Sequence, residues 1–304
     1  MKKICVIGSI NMDLVTTVKN FPKSGETVLG NDFNLYCGGK GGNQAVAAGK
    51  LGATVAMFGK IGNDMYGKEY IENLKNSNVE YKYIQNEENV STGTAIIEVE
   101  ESSENKIIII PGANNEVDKE YIDNNMKTLL EYDIFLFQLE IPMSTVVYAA
   151  KKLKEHDKVV IVDPAPAVKL PKELLECTDY LTPNETELEI VTGTKINSQD
   201  DLRQAVSILL DSGVGKVIHK AGKNGAYIID ENDIIHVEGY KVDAIDTTAA
   251  GDSFNAGFAF ALSKGYDLDK CVEIANAVGG LATTGMGAQS AMPIYENVLT
   301  LINK

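Results

Sequence analysis

A chain of 304 residues can bury a sizeable core as one large domain or two. Hydrophobic content of 44% against 23% charged residues is that of an ordinary soluble globular protein. A net charge of −15 disfavours nonspecific nucleic-acid binding and anionic membranes, so an anionic ligand must be held by local features.

The N-terminus, Met-Lys-Lys-Ile-Cys-Val-Ile-Gly, has an apolar part too short for a signal peptide. It reads as a strand over Ile4–Ile7 that ends at Gly8. In the following Gly8-Ser-Ile-Asn-Met-Asp13, Asn11 and Asp13 alternate with Met12 and so point to one side. Ligands of α/β folds bind beyond such strand ends. An amide and a carboxylate together suit vicinal hydroxyls; an Asx turn is the alternative. No GxGxxG follows, so this is no dinucleotide fingerprint.

Leu14–Asn20 and Thr27–Tyr36 are two β-like pieces with no helix between them. Gly38-Gly-Lys-Gly-Gly-Asn43 then brackets Lys40 with glycines and runs into an alanine-rich helix over Gly41–Leu51. Glycines let a backbone approach a ligand closely, and Asn43 lies near the helix start. The spacing is not that of a Walker A loop. A strand at Thr54–Phe58 and a helix at Met65–Lys75 follow. Thr92–Val99 and Lys106–Ile110 form a hairpin joined by Glu-Ser-Ser-Glu-Asn. The four strands lacking crossover helices predict a small antiparallel sheet from two insertions, hinged as a lid; an edge extension of the main sheet is the alternative.

Asp133–Phe137, Val159–Val162 and Lys216–His219 are short apolar runs fit for buried parallel strands. Helical patterns lie between them at Ser144–Glu155, Glu185–Val191 and Asp201–Leu210. This alternation predicts an α/β layered fold. Glu140 ends one strand in Phe-Gln-Leu-Glu. Asn184 and Glu187 have capping-box spacing, with orientation of hydrated Mg²⁺ and phosphate as the functional alternative. Lys220-Ala-Gly222-Lys-Asn-Gly225 is either a plain hairpin turn or a glycine turn facing a nucleotide. Gly285-Met-Gly-Ala-Gln-Ser-Ala291 is either a helix stop or a loop whose carbonyls join Asp246 around a cation.

Residues 246–258, Asp-Thr-Thr-Ala-Ala-Gly-Asp-Ser-Phe-Asn-Ala-Gly-Phe, read as a tight turn opening into a packed helix. The free N–H groups of such a first turn, at Ala249, Ala250 and Gly251, attract an anion, and the helix dipole adds to the pull. A carboxylate there repels phosphate unless it has work to do. Taking the proton of an attacking hydroxyl is such work for Asp252. A free Asp titrates at about 3.9 and is a weak base toward an alcohol, which fits a loose transition state with late proton loss.

Arg203 is the single arginine, in an exposed helical pattern, so phosphate chemistry must use backbone N–H groups, lysines and metal ions. Cys5, Cys37, Cys177 and Cys271 form no CxxC pair and predict free thiols in a reducing cytoplasm. His156, His219 and His236 are too dispersed for a metal cluster. No stretch reaches the roughly 18 apolar residues of a membrane span.

These segments together resemble the ribokinase-like sugar kinases, the phosphofructokinase-B family. The signatures at 38–43 and 246–254 stand in order. Asn11-x-Asp13, Glu140, Asn184-x-x-Glu187 and Gly-Ala-Gln at 287–289 also fit, over nearly the whole chain. The resemblance implies a three-layer α/β/α sandwich with a mostly parallel sheet, made of residues 1–10, 38–90 and 113–304. It implies a β lid from residues 11–37 and 91–112, paired with a second lid in a homodimer. It implies transfer of the ATP γ-phosphoryl group to the 5-hydroxyl of D-ribose. Sugar contacts then fall on Asn11, Met12, Asp13, Gly39, Lys40, Gly41, Gly42, Asn43 and Glu140, with Asp252 as base. Nucleotide contacts fall on Asn184, Glu187, Lys220, Ala221, Gly222, Lys223, Asn224, Gly225, Gly251 and Asn276, with Mg²⁺. A potassium site uses Asp246, Thr248, Ala282, Gly285, Gly287 and Ala291.

The chain departs from the family at three positions. Lys220 stands where Thr is frequent, Asn276 where His is familiar, and Ala291 where Ser is common, which removes one hydroxyl ligand from the cation. Other substrates of the same family, namely 2-deoxyribose, a nucleoside or fructose, are the first alternative. A non-catalytic sugar or nucleotide sensor is the second, though a sensor has no need of Asp252. A nicotinamide oxidoreductase lacks its fingerprint here.

Overall fold

The computed structural model describes residues 1–102 and 104–304; Ser103, in the connection of the expected hairpin, lies outside the described residues. In chain order the elements begin β1 (Ile4–Ile7), β2 (Asn11–Val18), β3 (Gly30–Gly38), α1 (Lys40–Lys50), β4 (Val55–Phe58) and β5 (Lys60–Gly62). Then come α2 (Met65–Asn76), β6 (Val79–Glu80), β7 (Gln85–Glu87), β8 (Gly93–Glu100), β9 (Asn105–Ile110), α3 (Lys119–Leu129) and β10 (Ile134–Phe137). The central part holds α4 (Met143–Lys154), β11 (Val159–Val162), α5 (Lys172–Leu175), β12 (Tyr180–Leu181), α6 (Glu185–Thr192) and α7 (Gln199–Asp211). The last part holds β13 (Lys216–Lys220), β14 (Ala226–Ile229), β15 (Ile234–Val237), α8 (Ala250–Lys264), α9 (Leu268–Ala282) and α10 (Tyr295–Ile302).

A nine-stranded sheet runs β15-β14-β13-β12-β11-β10-β1-β4-β6. It is parallel except for β14 and β15, which pair antiparallel at one edge. Its central strands are apolar throughout because both faces are covered. Ile4 and Val6 of β1 pack with residues of α1, α2, α8 and α9. Cys5 and Ile7 face the other way, toward α3, α4, α6 and α7. This is the expected three-layer α/β/α sandwich. Helix starts follow local chemistry: Asp64, Asp118, Ser198 and Asp267 each accept a backbone N–H from the first turn of α2, α3, α7 and α9.

The chain builds β1, β4 and β6 outward in one direction, then β10 to β13 in the other. The strand order therefore reverses between β1 and β10, and a crevice opens beyond their carboxyl ends. Gly8 and Gln138 lie at those ends, and Asp163 at the end of the neighbouring β11.

A separate four-stranded sheet runs β3-β2-β8-β9. Each hairpin is antiparallel, as expected, but the two join through β2 and β8, which run parallel. The expected wholly antiparallel sheet is therefore corrected to a mixed one. Both hairpins leave the core from the same end, so their first strands point the same way. Among the described residues, no helix is long and apolar enough to cross a membrane.

Candidate active site

Asp252 lies in the first turn of α8 and is only 6% exposed. Its Oδ2 accepts from Asn43 Nδ2 at 2.9 Å and its Oδ1 from Gln44 Nε2 at 3.1 Å, both amides coming from α1. Burial pushes its carboxyl up to about 6; the Lys40 ammonium pulls it down and Asp163 pushes it up again. The weak base expected from a free Asp is thus corrected: a low-dielectric site disfavours the anion.

Gln44 links this carboxylate to a second one. Its Nε2 also donates to Asp163 Oδ2 at 3.0 Å, and Asp163 Oδ1 accepts from Lys220 Nζ at 2.9 Å. Glu187 Oε2 lies 3.5 Å from the same ammonium. Burial works against the charge of Lys220, but Asp163 and Glu187 more than offset it and hold its pKa above the ordinary lysine value. Lys40 behaves alike, with Asp252 and Glu140 as the main offsetting charges.

The glycine turn before α1 is a packing device. Gly39 has φ of +80°, and a Cβ there would stand 2.7 Å from the Asn11 backbone nitrogen. Gly41 and Gly42 donate their N–H groups to the Ser9 hydroxyl and carbonyl at 3.3 and 2.9 Å. Lys40 N–H donates to Glu140 Oε2 at 3.0 Å, and Ser9 Oγ donates to the same oxygen at 2.6 Å. The glycines expected to approach a ligand also approach the β1–β2 connection closely. That closeness brings Asn11, Asp13, Lys40 and Asn43 to one crevice.

Asn11 is 3% exposed, and its Oδ1 accepts from Asn114 Nδ2 at 2.7 Å. Burial, then Glu140, push the Asp13 carboxyl up to about 7, against the pull of Lys40. Met12 is fully buried, which corrects its place among the crevice-facing residues: the two-residue period turns its side chain the opposite way.

On the other side of Asp252, Ala249 stands just before α8, at its N-cap, with φ of +58°, a left-handed conformation that non-glycine residues rarely adopt. No side chain caps this helix. The Ala250 N–H bonds the Thr247 carbonyl at 3.2 Å, which corrects its place in the anion cradle. Among the described residues, the N–H groups of Ala249, Gly251 and Asp252 have no partner. They border a cavity of about 310 Å³ shared with Lys40, Lys220 and Glu187. A neighbouring cavity of about 600 Å³ is lined by Gly222 to Gly225, Phe254, Asn276 and Gly279, among others, and is mostly apolar. Ala221 closes the β13–β14 turn by donating to the Gly225 carbonyl at 2.8 Å. That turn is both a hairpin connection and a cavity wall. Asn184 and Glu187 form a complete capping box on α6, with bonds of 2.7 to 2.9 Å.

Asp246 Oδ1 accepts from Thr248 N at 2.9 Å and from its hydroxyl at 2.6 Å, while Oδ2 accepts from Gly287 N at 3.0 Å. Burial works to raise its pKa, but these three donors hold it below the ordinary value. The loop carrying Gly285, Gly287 and Ala291 therefore meets the 246–248 turn through Gly287, just beyond Ala282 at the end of α9. Among the described residues, no group of three or more His, Cys, Asp or Glu could hold a metal ion. An ion carried mainly by phosphate oxygens and water fits such a site better than one caged by protein.

Residues 1–294 match the pattern of the pfkB family carbohydrate kinases. The chain belongs to that family. This pfkB carbohydrate kinase is 39% identical to the ribokinase of Bacillus subtilis over 303 residues, covering 100% of both chains. It is 37% identical to a deoxyribokinase of Salmonella typhi over 294 residues, covering 96% of each. Its fold matches the structure of Arabidopsis thaliana ribokinase complexed with ribose and ATP, with a TM-score of 0.95 and 33% identity over 100% of this chain and 99% of that one. The protein is an ATP-dependent sugar phosphotransferase with a kinase's cleft.

Sequence reasoning missed Ser9, Gln44, Asn114 and Asp163. Asp163 had a usable signal, a carboxylate directly after an apolar strand. Gln44 had none beyond its place beside Asn43.

Proposed function

We propose that this kinase transfers the γ-phosphoryl group of ATP to the 5-hydroxyl of D-ribose, giving D-ribose 5-phosphate and ADP. The observation that carries this reading is Asp252: a buried carboxylate, held through both oxygens, between a polar crevice and a set of free helix N–H groups. Asn11, Asp13, Lys40 and Asn43 hold the sugar hydroxyls. As the new O–P bond forms and the bond to ADP breaks, Asp252 accepts the hydroxyl proton. The N–H groups at the start of α8, with Lys40 and Lys220, offset charge on the transferring group; one preorganised donor is worth on the order of 2.7–4 kcal/mol there. Gly222, Lys223, Asn224, Gly225 and Asn276 receive the nucleotide in the apolar cavity. Glu187 and Asp163 would help hold a hydrated Mg²⁺, which would supply charge neutralisation. Asp246 and the 285–291 loop would hold a potassium ion, whose positive charge would steady the turn that presents those N–H groups.

The small sheet, from residues 11–37 and 91–112, acts as a lid over the sugar. Its exposed Phe33, Ile96 and Ile107 to Ile110 fit a second copy of this chain, so we propose a homodimer through the lids. The four free cysteines suit the reducing cytoplasm.

The similarity to deoxyribokinases favours 2-deoxyribose as the second reading. Buried polar groups such as Asn11, left unpaired by a missing hydroxyl, favour ribose. An ADP-release assay over pentoses, hexoses and nucleosides, with K⁺ present or omitted, tests the assignment. Highest kcat/KM on D-ribose is expected; release with nucleosides alone would overturn it.

A further inference from the structure

Gln289 lies on the loop between α9 and α10, and no role falls to it above. It is 6% exposed, and its side chain makes three hydrogen bonds. Oε1 accepts from Asn73 Nδ2 at 2.6 Å. Nε2 donates to Asn43 Oδ1 and to the Tyr70 hydroxyl, both at 2.9 Å. Asn43 Nδ2 then donates to Asp252 Oδ2 at 2.9 Å. The donors thus run one way, from Asn73 through Gln289 and Asn43 to the carboxylate. Aligned hydrogen bonds of this kind polarise one another.

The direction has a chemical consequence. Gln289 shows Asn43 an N–H, so Asn43 must answer with its oxygen, and its NH₂ is left for Asp252. Without Gln289, the Asn43 amide is free to turn and set its oxygen against the carboxylate. The loop itself is tied at two places. Lys50 Nζ donates to the Gln289 carbonyl at 2.6 Å, and Gly287 N donates to Asp246.

We propose that Gln289 is a positioning residue for Asp252, acting by fixing which end of the Asn43 amide faces it. The proposal rests on the reading of Asp252 as the base. The charged and titratable groups around Asp252 are Asp13 of β2, Lys40 of α1, Tyr70 of α2, Glu140 after β10, Asp163 after β11, Glu187 of α6 and Lys220 of β13. All remain in a Gln289 variant, so the amide is the element changed.

The test is Gln289→Met, similar in shape but without donor or acceptor. Asp252 ionisation is followed by carboxyl ¹³C NMR in the ligand-free protein, with Asp252→Asn to assign the signal. The midpoint is expected to rise by about half a pH unit or more, since a donor to the anion is lost. The acid limb of kcat/KM is expected to move with it, so that below the limb kcat/KM falls about 3-fold or more against wild type at the same pH. An unmoved midpoint in folded Gln289→Met would overturn the proposal. Should that variant not fold, Gln289→Ala removes the same donor and acceptor with less bulk, and the same shift or its absence decides. The NMR midpoint is readable even if no sugar is phosphorylated, so a failure here is separable from a failure of the kinase assignment.

Discussion

Asn43 and Asp252 stand 209 residues apart in the chain and share a 2.9 Å hydrogen bond. The bond ties the glycine turn of α1 to the first turn of α8, joining the sugar side of the crevice to the phosphate side. Asp252→Asn removes the proton acceptor but keeps shape and burial. We expect sugar binding to persist and kcat to fall by about 10²-fold or more. Steady-state kinetics with a parallel sugar-binding titration checks this. Near-normal turnover would sink the assignment of Asp252 as base.

The same variant is expected to be the more stable protein at neutral pH. Asp252 titrates at about 6 and Asp13 at about 7, against 3.8 for the free group. The native state holds these protons more tightly than the unfolded chain. Their contribution to stability is therefore full below about pH 4 and is lost as pH rises to about 6 and 7. For Asp252 the shift corresponds to on the order of 3 kcal/mol. Urea unfolding of Asp252→Asn and wild type should differ most at pH 8 and converge near pH 4. An equal difference at both pH values would show that the buried charge is not what separates them.

Activity has the opposite pH demand. The base works only when ionised, so kcat/KM is expected to fall tenfold per pH unit below about pH 6 and to level off above it. The limb should vanish from the residual activity of Asp252→Asn. A limb near pH 4 in kcat/KM, which reports the free enzyme, would mean that burial does not raise the Asp252 carboxyl.

The sheet and its helices were legible because alternation of short apolar runs and amphipathic stretches is local information. So were Gly38 to Asn43 and residues 246–252, whose small residues mark close backbone approach. The partners of Asp252 were not legible. Gln44, Asp163 and Gln289 reach it or its neighbours across long sequence separations, and an amide's partner is set by what tertiary packing brings near. The parallel pairing of β2 with β8 was hidden for the same reason: each hairpin's pattern is local, but their junction is not. The raised pKa of Asp252 follows from burial, which its neighbours in sequence do not state.

Lys220 stands between Asp163 at 2.9 Å and Glu187 at 3.5 Å, with its side chain 11% exposed. In Lys220→Met two carboxylates lose their counter-ion in a poorly solvated site. Breaking such a pair costs about 3–5 kcal/mol. We expect that loss in urea unfolding, with kcat/KM for ATP at least about 10-fold lower. Adding Asp163→Asn should return part of the stability but not the ATP kinetics. Recovery of both would show that Lys220 serves the fold alone.

Gly39 and Gly52 separate backbone conformation from close approach. Their φ values are +80° and +85°, but a Cβ at Gly52 meets nothing within 4 Å, whereas at Gly39 it meets Asn11 N at 2.7 Å. Gly52→Ala therefore carries only the conformational strain, about 1–2 kcal/mol, and should leave kinetics unchanged. Gly39→Ala carries similar strain and must also move the β1–β2 connection or the start of α1. Either shift displaces Asn11 relative to Asn43, and a displacement of about 1 Å can lower turnover about 10²-fold. Unfolding curves and sugar KM for the two variants, measured side by side, test this. Equal kinetic effects would mean that the closeness of Gly39 to Asn11 does not position the crevice.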